Sequence, residues 1–334
     1  MTRRPDLKNL RLLPEQMFAG GGCHGKLSGE ALEQVLCGAA SSFFSRPEDA
    51  AIVQPQSANL LFSNDLIYLP GLSLFDAGRI AALHSLSDIY ASGGIPRWAL
   101  VTLIVDRTRP LEHGEAVMAG IAEACEQEGV AISGGHTVSG SEAMAGLSAI
   151  GTLDGAPLRK TGAKLGDRLF LSKSIGTGLC LAGYRRGLCD DAALAGAMET
   201  MLIPARIAAA PAARQYATAC TDVTGFGLFG HLAEMLEAPL GALLSRDAIP
   251  LLPFAAAPPR EIAESARLRN NYEYVTSRVE LRHEVPVYRL AALLDPQTNG
   301  PLLAAAPGSA APAMRSAGFA EIGRITDRAG ITLR

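Results

Sequence analysis

Three groups of residues in this chain of 334 have the types and spacing for chemistry on phosphates. The first is the run Gly20, Gly21, Gly22, Cys23, His24, Gly25, Lys26. It satisfies the glycine, four residues, glycine, lysine part of a phosphate-binding loop, but Leu27 stands where that loop needs a hydroxyl for magnesium. A flexible glycine segment would still let Lys26 reach a polyphosphate as a point charge, with the Cys23 thiol nearby for a soft substrate. The same residues also suit a solvated linker.

The second group is four aspartates, Asp49, Asp65, Asp88 and Asp222. Magnesium takes oxygen ligands and is commonly held by one or two carboxylates together with substrate phosphates, so dispersed aspartates gathered by folding suit a nucleotide site. Asp88 stands out because its helix is otherwise apolar and His84 lies one turn before it on the same face. A buried charge there needs a partner or a metal; an exposed one, or one paired with Arg79, needs neither.

The third group is glycine turns. Thr221 to His231 (Thr-Asp-Val-Thr-Gly-Phe-Gly-Leu-Phe-Gly-His) precedes a helix whose N-terminal amides suit an anion. Gly134, Gly135, His136 and Thr137 offer a similar nest after a short strand at Val130 to Ser133. Asp295 to Pro301 is a tight polar turn. Each of the three also suits a purely structural turn.

The elements that would position these residues alternate. Strands are expected at Asn59 to Tyr68, Trp98 to Asp106 and Ala143 to Leu153, and helices at Asp76 to Ala91, stopped by Gly93 and Gly94, and at Pro110 to Glu128. Ser28 reads as the N-cap of a first helix over Glu30 to Leu36. The chain turns basic and polar near residue 160, and a second unit opens with a strand at Arg168 to Ser172 and a helix after Gly176 and Gly178. Residues 248–260, rich in proline, read as an exposed connection. The expected organisation is a mobile tail at 1–27, an N-terminal domain at 28–160 and a C-terminal domain at 161–334.

Composition closes other routes. With 30 basic and 33 acidic side chains and no basic block, the chain is not built to coat nucleic acid or an anionic membrane. No apolar run reaches the roughly 20 residues of a membrane span, and the charged start lacks the core of a signal peptide, so a cytoplasmic location is expected. Six cysteines are too few for a disulfide scaffold of this length.

Taken in order, these motifs resemble selenophosphate synthetase, also called selenide, water dikinase. The most specific pieces are Cys23 with Lys26, the run Phe75 to Ala82 followed by Ser87 to Ala91, Gly134 to His136, Thr221 to His231, and Asp295 to Thr298. The resemblance implies a two-domain α+β fold like that of aminoimidazole ribonucleotide synthetase. Its N-terminal mixed sheet would join a partner's in a barrel across a homodimer, beside a C-terminal α+β domain. It also implies magnesium-dependent conversion of ATP, selenide and water to selenophosphate, AMP and phosphate. By position, Cys23 and Lys26 would be catalytic, and Asp49, Asp88 and Asp222 would bind magnesium. ATP contacts would fall at Lys26, Glu48, Asp65, Asp88, Gly135, His136 and Thr137. A protein that delivers selenium or accepts the product is a further implied partner. The chain departs from the family at Glu48 (usually Asp), Asn64 (Thr), His84 (Asn) and Asn299 to Pro301 (Ser-Gly-Gly), and in Ser265 to Asn270. Rival readings are an ATP-dependent enzyme of the same fold with another acceptor, and a nucleotide-binding paralogue without catalysis.

Overall fold

A computed structural model describes residues 51–53, 59–69, 73–206, 214–278, 280–282 and 287–334. The N-terminal half runs β1 (Ala51–Val53), β2 (Asn59–Tyr68), α1 (Leu74–Ala91), β3 (Ile95–Asp106), α2 (Glu112–Gln127), β4 (Ala131–Gly140) and β5 (Met144–Leu153). Its five strands lie in the order β1-β2-β5-β3-β4. All neighbours are antiparallel except β3 and β4, whose parallel pairing is bridged by α2. The mixed sheet therefore follows from the strand and helix alternation in the sequence.

Helix α1 starts where Ser73 accepts the Asp76 N–H, and Gly93, at φ +79°, turns the chain after its end. It is apolar on nearly all sides, which marks a helix covered all round. One side packs on β2 and β5, another on α2, and its C-terminal half meets the second half of the chain. The approach to α2 is close because two glycines face backbone there. A Cβ at Gly78 would stand 2.1 Å from the Val117 carbonyl oxygen, and one at Gly120 would stand 1.9 Å from that of Phe75. Both helices cover one face of the sheet. On the other face Phe62, Trp98, Leu100 and Val138 are exposed, a row of apolar side chains.

The C-terminal half runs β6 (Arg168–Leu171), α3 (Thr177–Arg185), α4 (Asp191–Met201), β7 (Ala219–Asp222), α5 (Gly227–Met235), β8 (Gly241–Leu244), α6 (Ala266–Thr276), β9 (Leu281–Arg282), α7 (Val287–Leu294), β10 (Leu302–Ala306), α8 (Ala311–Ser316), β11 (Ala320–Thr326) and β12 (Gly330–Leu333), with short helical turns between. Its seven strands lie in the order β7-β10-β6-β11-β8-β12-β9. Strands β6, β7 and β10 are wholly or almost wholly buried, as expected for short apolar runs covered on both faces. Among the described residues, no helix is long and apolar enough to cross a membrane.

Two expectations fail here. Gly134 and Gly135 do not turn: β4 runs through them to Gly140, paired with β3, and the register slips between Ala99 and Leu100. Gly135 is needed for close approach, since a Cβ would lie 2.2 Å from the Val101 carbonyl oxygen. Residues 248–260 are not simply an exposed connection. Ile249, Leu252, Ala255 and Pro258 are buried, and the segment bonds through backbone to Ile175. Prolines deny a ladder but leave the intervening apolar residues free to fill a core. The expected helix at Glu30 to Leu36 lies outside the described residues.

Candidate active site

The site is built on the face between α1 and β2. Strand β2 sends Leu61, Ser63, Asp65 and Ile67 toward the helix, because alternate residues of a strand share a side. Two residues along the strand advance about 6.6 Å, and four along a helix about 6.0 Å. His84 and Asp88 on α1 therefore fall opposite Asp65 and Ser63 as two rungs. In the first, His84 Nε2 is 4.0 Å from Asp65 Oδ1. In the second, Ser63 donates its hydroxyl to Asp88 Oδ2 at 2.5 Å.

Asp222 ends β7 in the other half of the chain, and its carboxylate is buried. Ser87, the residue before Asp88, donates its hydroxyl to Asp222 Oδ2. Consecutive residues of one helix thus fix both aspartates. Asp88 is held against its own sheet and Asp222 is drawn in from the C-terminal sheet, 135 positions away in sequence. A carboxylate from each half, tied to consecutive residues of one helix, suits a magnesium ion, with Asp88 and Asp222 the described residues that would hold it.

Behind them lies a buried polar cluster. The Asn299 backbone N–H donates to His84 Nδ1 at 3.2 Å, and Asn299 takes φ +44° to do so. Lys173, in the turn after β6, donates its ammonium to the carbonyls of Asn299 at 2.6 Å and Ile203 at 2.9 Å. Burial drives this ammonium down to about 7, against the pull of the Asp222 carboxylate. The motif Asp295 to Thr298 caps α3. Gln297 Oε1 accepts the N–H of Gly176 and Thr177 and the Thr177 hydroxyl, and Asp295 Oδ2 accepts the Leu179 N–H at 3.0 Å. Desolvation pushes the Asp295 carboxyl up to about 8 despite those donors. Of the two readings of this turn, the structural one accounts for Asp295 and Gln297.

Other expected residues lie elsewhere. Gly135 shares a lateral row with Asp65, through Leu147 and Val101, three strand spacings or about 14 Å away. His136 is one residue on and points to the bare face, while Thr137 returns to the side of Gly135. All three are exposed on the edge strand, so within one chain they do not join the aspartates. Cys23, Lys26, Glu48 and Asp49 lie outside the described residues, and no group of three His, Cys, Asp or Glu side chains suited to a metal occurs among the described ones.

The run Thr221 to His231 is buried except for the half-buried Phe226. A Cβ at Gly227 would lie 2.6 Å from the Leu294 backbone, and the Gly225 carbonyl is taken by Asn271 and Arg267. His231 Nε2 accepts the Thr224 N–H at 3.0 Å, holding the loop that follows Asp222. Nor does Arg79 pair with Asp88; its guanidinium reaches Asp76 and Glu123. The sequence reading gave no role to Ser63, Ser87 or Lys173, although Ser87 stood in one of its motifs and Lys173 is a charge in an apolar strand and turn.

Residues 47–153 match the family model described as AIR synthase related protein, N-terminal domain, and residues 164–334 match its C-terminal domain. Among curated proteins, the chain is 31% identical over 302 residues to a selenide, water dikinase of Desulfitobacterium hafniense (strain Y51), covering 87% of this chain and 88% of that one. It is 34% identical over 304 residues to one from Shewanella sp. (strain W3-18-1), covering 87% and 85%. Among solved structures it resembles thiamine monophosphate kinase from Aquifex aeolicus, with a TM-score of 0.65 at 20% identity over 91% of this chain and 94% of that one. It also resembles a hydrogenase maturation protein, HypE, in complex with ATP, with a TM-score of 0.54 at 19% identity over 86% and 80%. These two likenesses are of fold.

Proposed function

Because the chain belongs to the AIR synthase related family and is similar to selenide, water dikinases over most of its length, we propose that it converts ATP, selenide and water to selenophosphate, AMP and phosphate. The observation that supports this reading is that consecutive residues of α1 tie in a carboxylate from each half, Ser87 bonding Asp222 and Asp88 itself bonded by Ser63. In this reading Asp88, Asp222 and Asp49 hold magnesium, which when bound supplies positive charge that neutralises a triphosphate. Asp65 and Asp88 face the nucleotide. Lys26 stabilises charge on the transferred phosphoryl group, and Cys23 holds selenium as a soft thiolate. Residues 1–27 close over the site, keeping water from the γ-phosphoryl group until selenide has reacted.

The partner is a second copy of the chain. The exposed row Phe62, Trp98 and Leu100 on the bare sheet face gives it an apolar surface, and His136 on that face becomes a nucleotide contact at the shared surface. Glu48, Gly135 and Thr137 complete the nucleotide contacts in the same reading.

Phosphorus NMR of a reaction with ATP, magnesium and selenide tests it. A selenium-coupled phosphorus signal should appear, with AMP and phosphate released only when selenide is present. Asp88→Asn and Asp222→Asn should abolish it while the fold is kept. ATP turnover indifferent to selenide, or a phosphorylated product without selenium, overturns the assignment.

A further inference from the structure

Helix α3 carries Cys180 and Gly183 one turn apart, so both lie on one face. The helix ends in a turn that sends the chain back over that face. Gly187, at φ +67°, donates its N–H to the Tyr184 carbonyl at 2.9 Å, and the Leu188 N–H donates to that of Gly183 at 2.8 Å. The next residue, Cys189, is thereby laid against the helix. Gly183 makes room for it, since a Cβ there would stand 3.0 Å from the Cys189 Cβ. The Cys180 thiol donates to the Cys189 sulfur, and the Cys189 thiol donates to the Asp190 carbonyl at 3.7 Å.

The two sulfurs differ in access. Cys180 is fully buried, while Cys189 keeps 8% of its surface exposed and borders a surface hollow with Leu188, Ala193 and Phe254. Burial pushes the Cys180 thiol up to about 12 and raises that of Cys189, to which the Asp190 carboxylate adds. Both are therefore thiols at neutral pH, and an oxidant meets Cys189 first.

We propose that Cys180 and Cys189 form a thiol–disulfide exchange site, in which Cys189 receives a small-molecule disulfide and Cys180 resolves it. The Cys189 thiolate attacks one sulfur of the incoming disulfide, forming a mixed disulfide and releasing one thiolate. The Cys180 thiolate then attacks the Cys189 sulfur, forming the internal bond and releasing the second. The cysteines give up two protons and two electrons, and the reagent leaves as two thiols. The bond closes the bend between α3 and α4, the helices that brace the turn before β10. Gln297 and Asp295 hold the start of α3, and the Asn299 amide bonds the carbonyls of Met201 and Ile203 at and just past the end of α4. Neither cysteine belongs to the residues assigned to the proposed activity.

Oxidised glutathione is the probe. The full chain is incubated with it at about pH 8.5, where more of each thiol is ionised, then alkylated, cut with trypsin and mapped by mass spectrometry. Trypsin separates the two cysteines at Arg185 and Arg186. A peptide pair joined through Cys180 and Cys189 should appear, two hydrogens lighter than the reduced pair and released by dithiothreitol. Cys180→Ala should stop at the mixed disulfide, with glutathione held on Cys189. Cys189→Ala should leave Cys180 a free thiol. On oxidation the wild-type melting temperature should rise by about 5–10 °C, as closing a short loop in the unfolded chain predicts, with no such rise in Cys189→Ala.

Cysteines that both stay alkylatable in the folded wild type, a bond that forms only in urea, or a bond from either cysteine to a different one would each overturn the proposal. So would glutathione on Cys180 rather than Cys189, or a linked chain that melts lower than the reduced one.

Discussion

Asp295 is the place where the fold makes its strongest thermodynamic demand. The carboxyl is buried and pushed from 3.8 to about 8 by desolvation, while its Oδ2 accepts both the Leu179 N–H and the Gln297 amide. An asparagine at this position has nearly the same shape and carries no charge at any pH. Asp295→Asn is therefore a copy of the neutral acid. A group with a raised folded pKa stabilises fully below its unfolded pKa, and that stability is lost as pH rises through the folded value. Between about pH 5 and about pH 7 the folded chain keeps a proton that the unfolded chain releases, and the loss is about 1.4 kcal/mol per pH unit. Over that window the wild type should lose about 3 kcal/mol relative to the asparagine variant. For a unit the size of the C-terminal half, this corresponds to about 5–10 °C in melting temperature. Lys173 acts in the opposite sense: lowered to about 7, it adds stability as pH climbs from there toward its unfolded value. The window below about 7 therefore isolates Asp295. Scanning calorimetry of both proteins across this range reads the difference, in which every group common to the two cancels. Parallel curves would show that the carboxyl is ionised in the folded state and that the argument from desolvation is wrong.

Other consequences are as direct. Ser87→Ala leaves the buried Asp222 carboxylate without its donor, which should lower stability by about 1.5–3 kcal/mol and raise the magnesium concentration for half-maximal activity; an unchanged magnesium titration would deny Ser87 a role in presenting the aspartate. Tyr90 donates to Glu128 at 2.6 Å across α1 and α2, and Arg206 reaches the same carboxylate from the second half at 3.0 Å. Tyr90→Phe should cost about 1–2 kcal/mol in urea unfolding, since Glu128 is buried and loses one of two partners. Trp98→Asp puts a charge on the bare sheet face, and if a second copy covers that face, light scattering should show the variant as a monomer.

Much of the frame was legible because its signals are local. Alternation marked β2 to the residue, and Gly93 marked the end of α1. The start of α1 lay two residues earlier than expected, since the Ser73 cap is followed by Leu74 and Phe75 before the first acidic residue. The glycine pair at 134 was misread because a turn and a strand that must pass close to another backbone ask for the same residue. Within the candidate site, Asp88 was conspicuous as a charge in an apolar helix, and Asp222 by its run. Their serines drew no role of their own, although Ser87 opens one of the quoted motifs. Ser63 and Ser87 are ordinary residues until folding sets them beside carboxylates, 25 and 135 positions away. The polar turn at Asp295 gave no sign that it plugs the start of α3, because its partners are backbone amides, which every sequence has.

The adjacency of Ser87 and Asp88 has a geometric corollary for how this chain tolerates length change. Each residue added to a helix swings everything beyond it by about 100° and advances it by about 1.5 Å. A single insertion anywhere between the start of α1 and Ser87 would swing both contacts off their targets at once, in one stroke unfastening the aspartate of each half. The same insertion beyond Ser92, where Gly93 has already bent the chain away, would leave the pair where it stands. The register of one helix thus serves as the gauge by which the two halves are aligned.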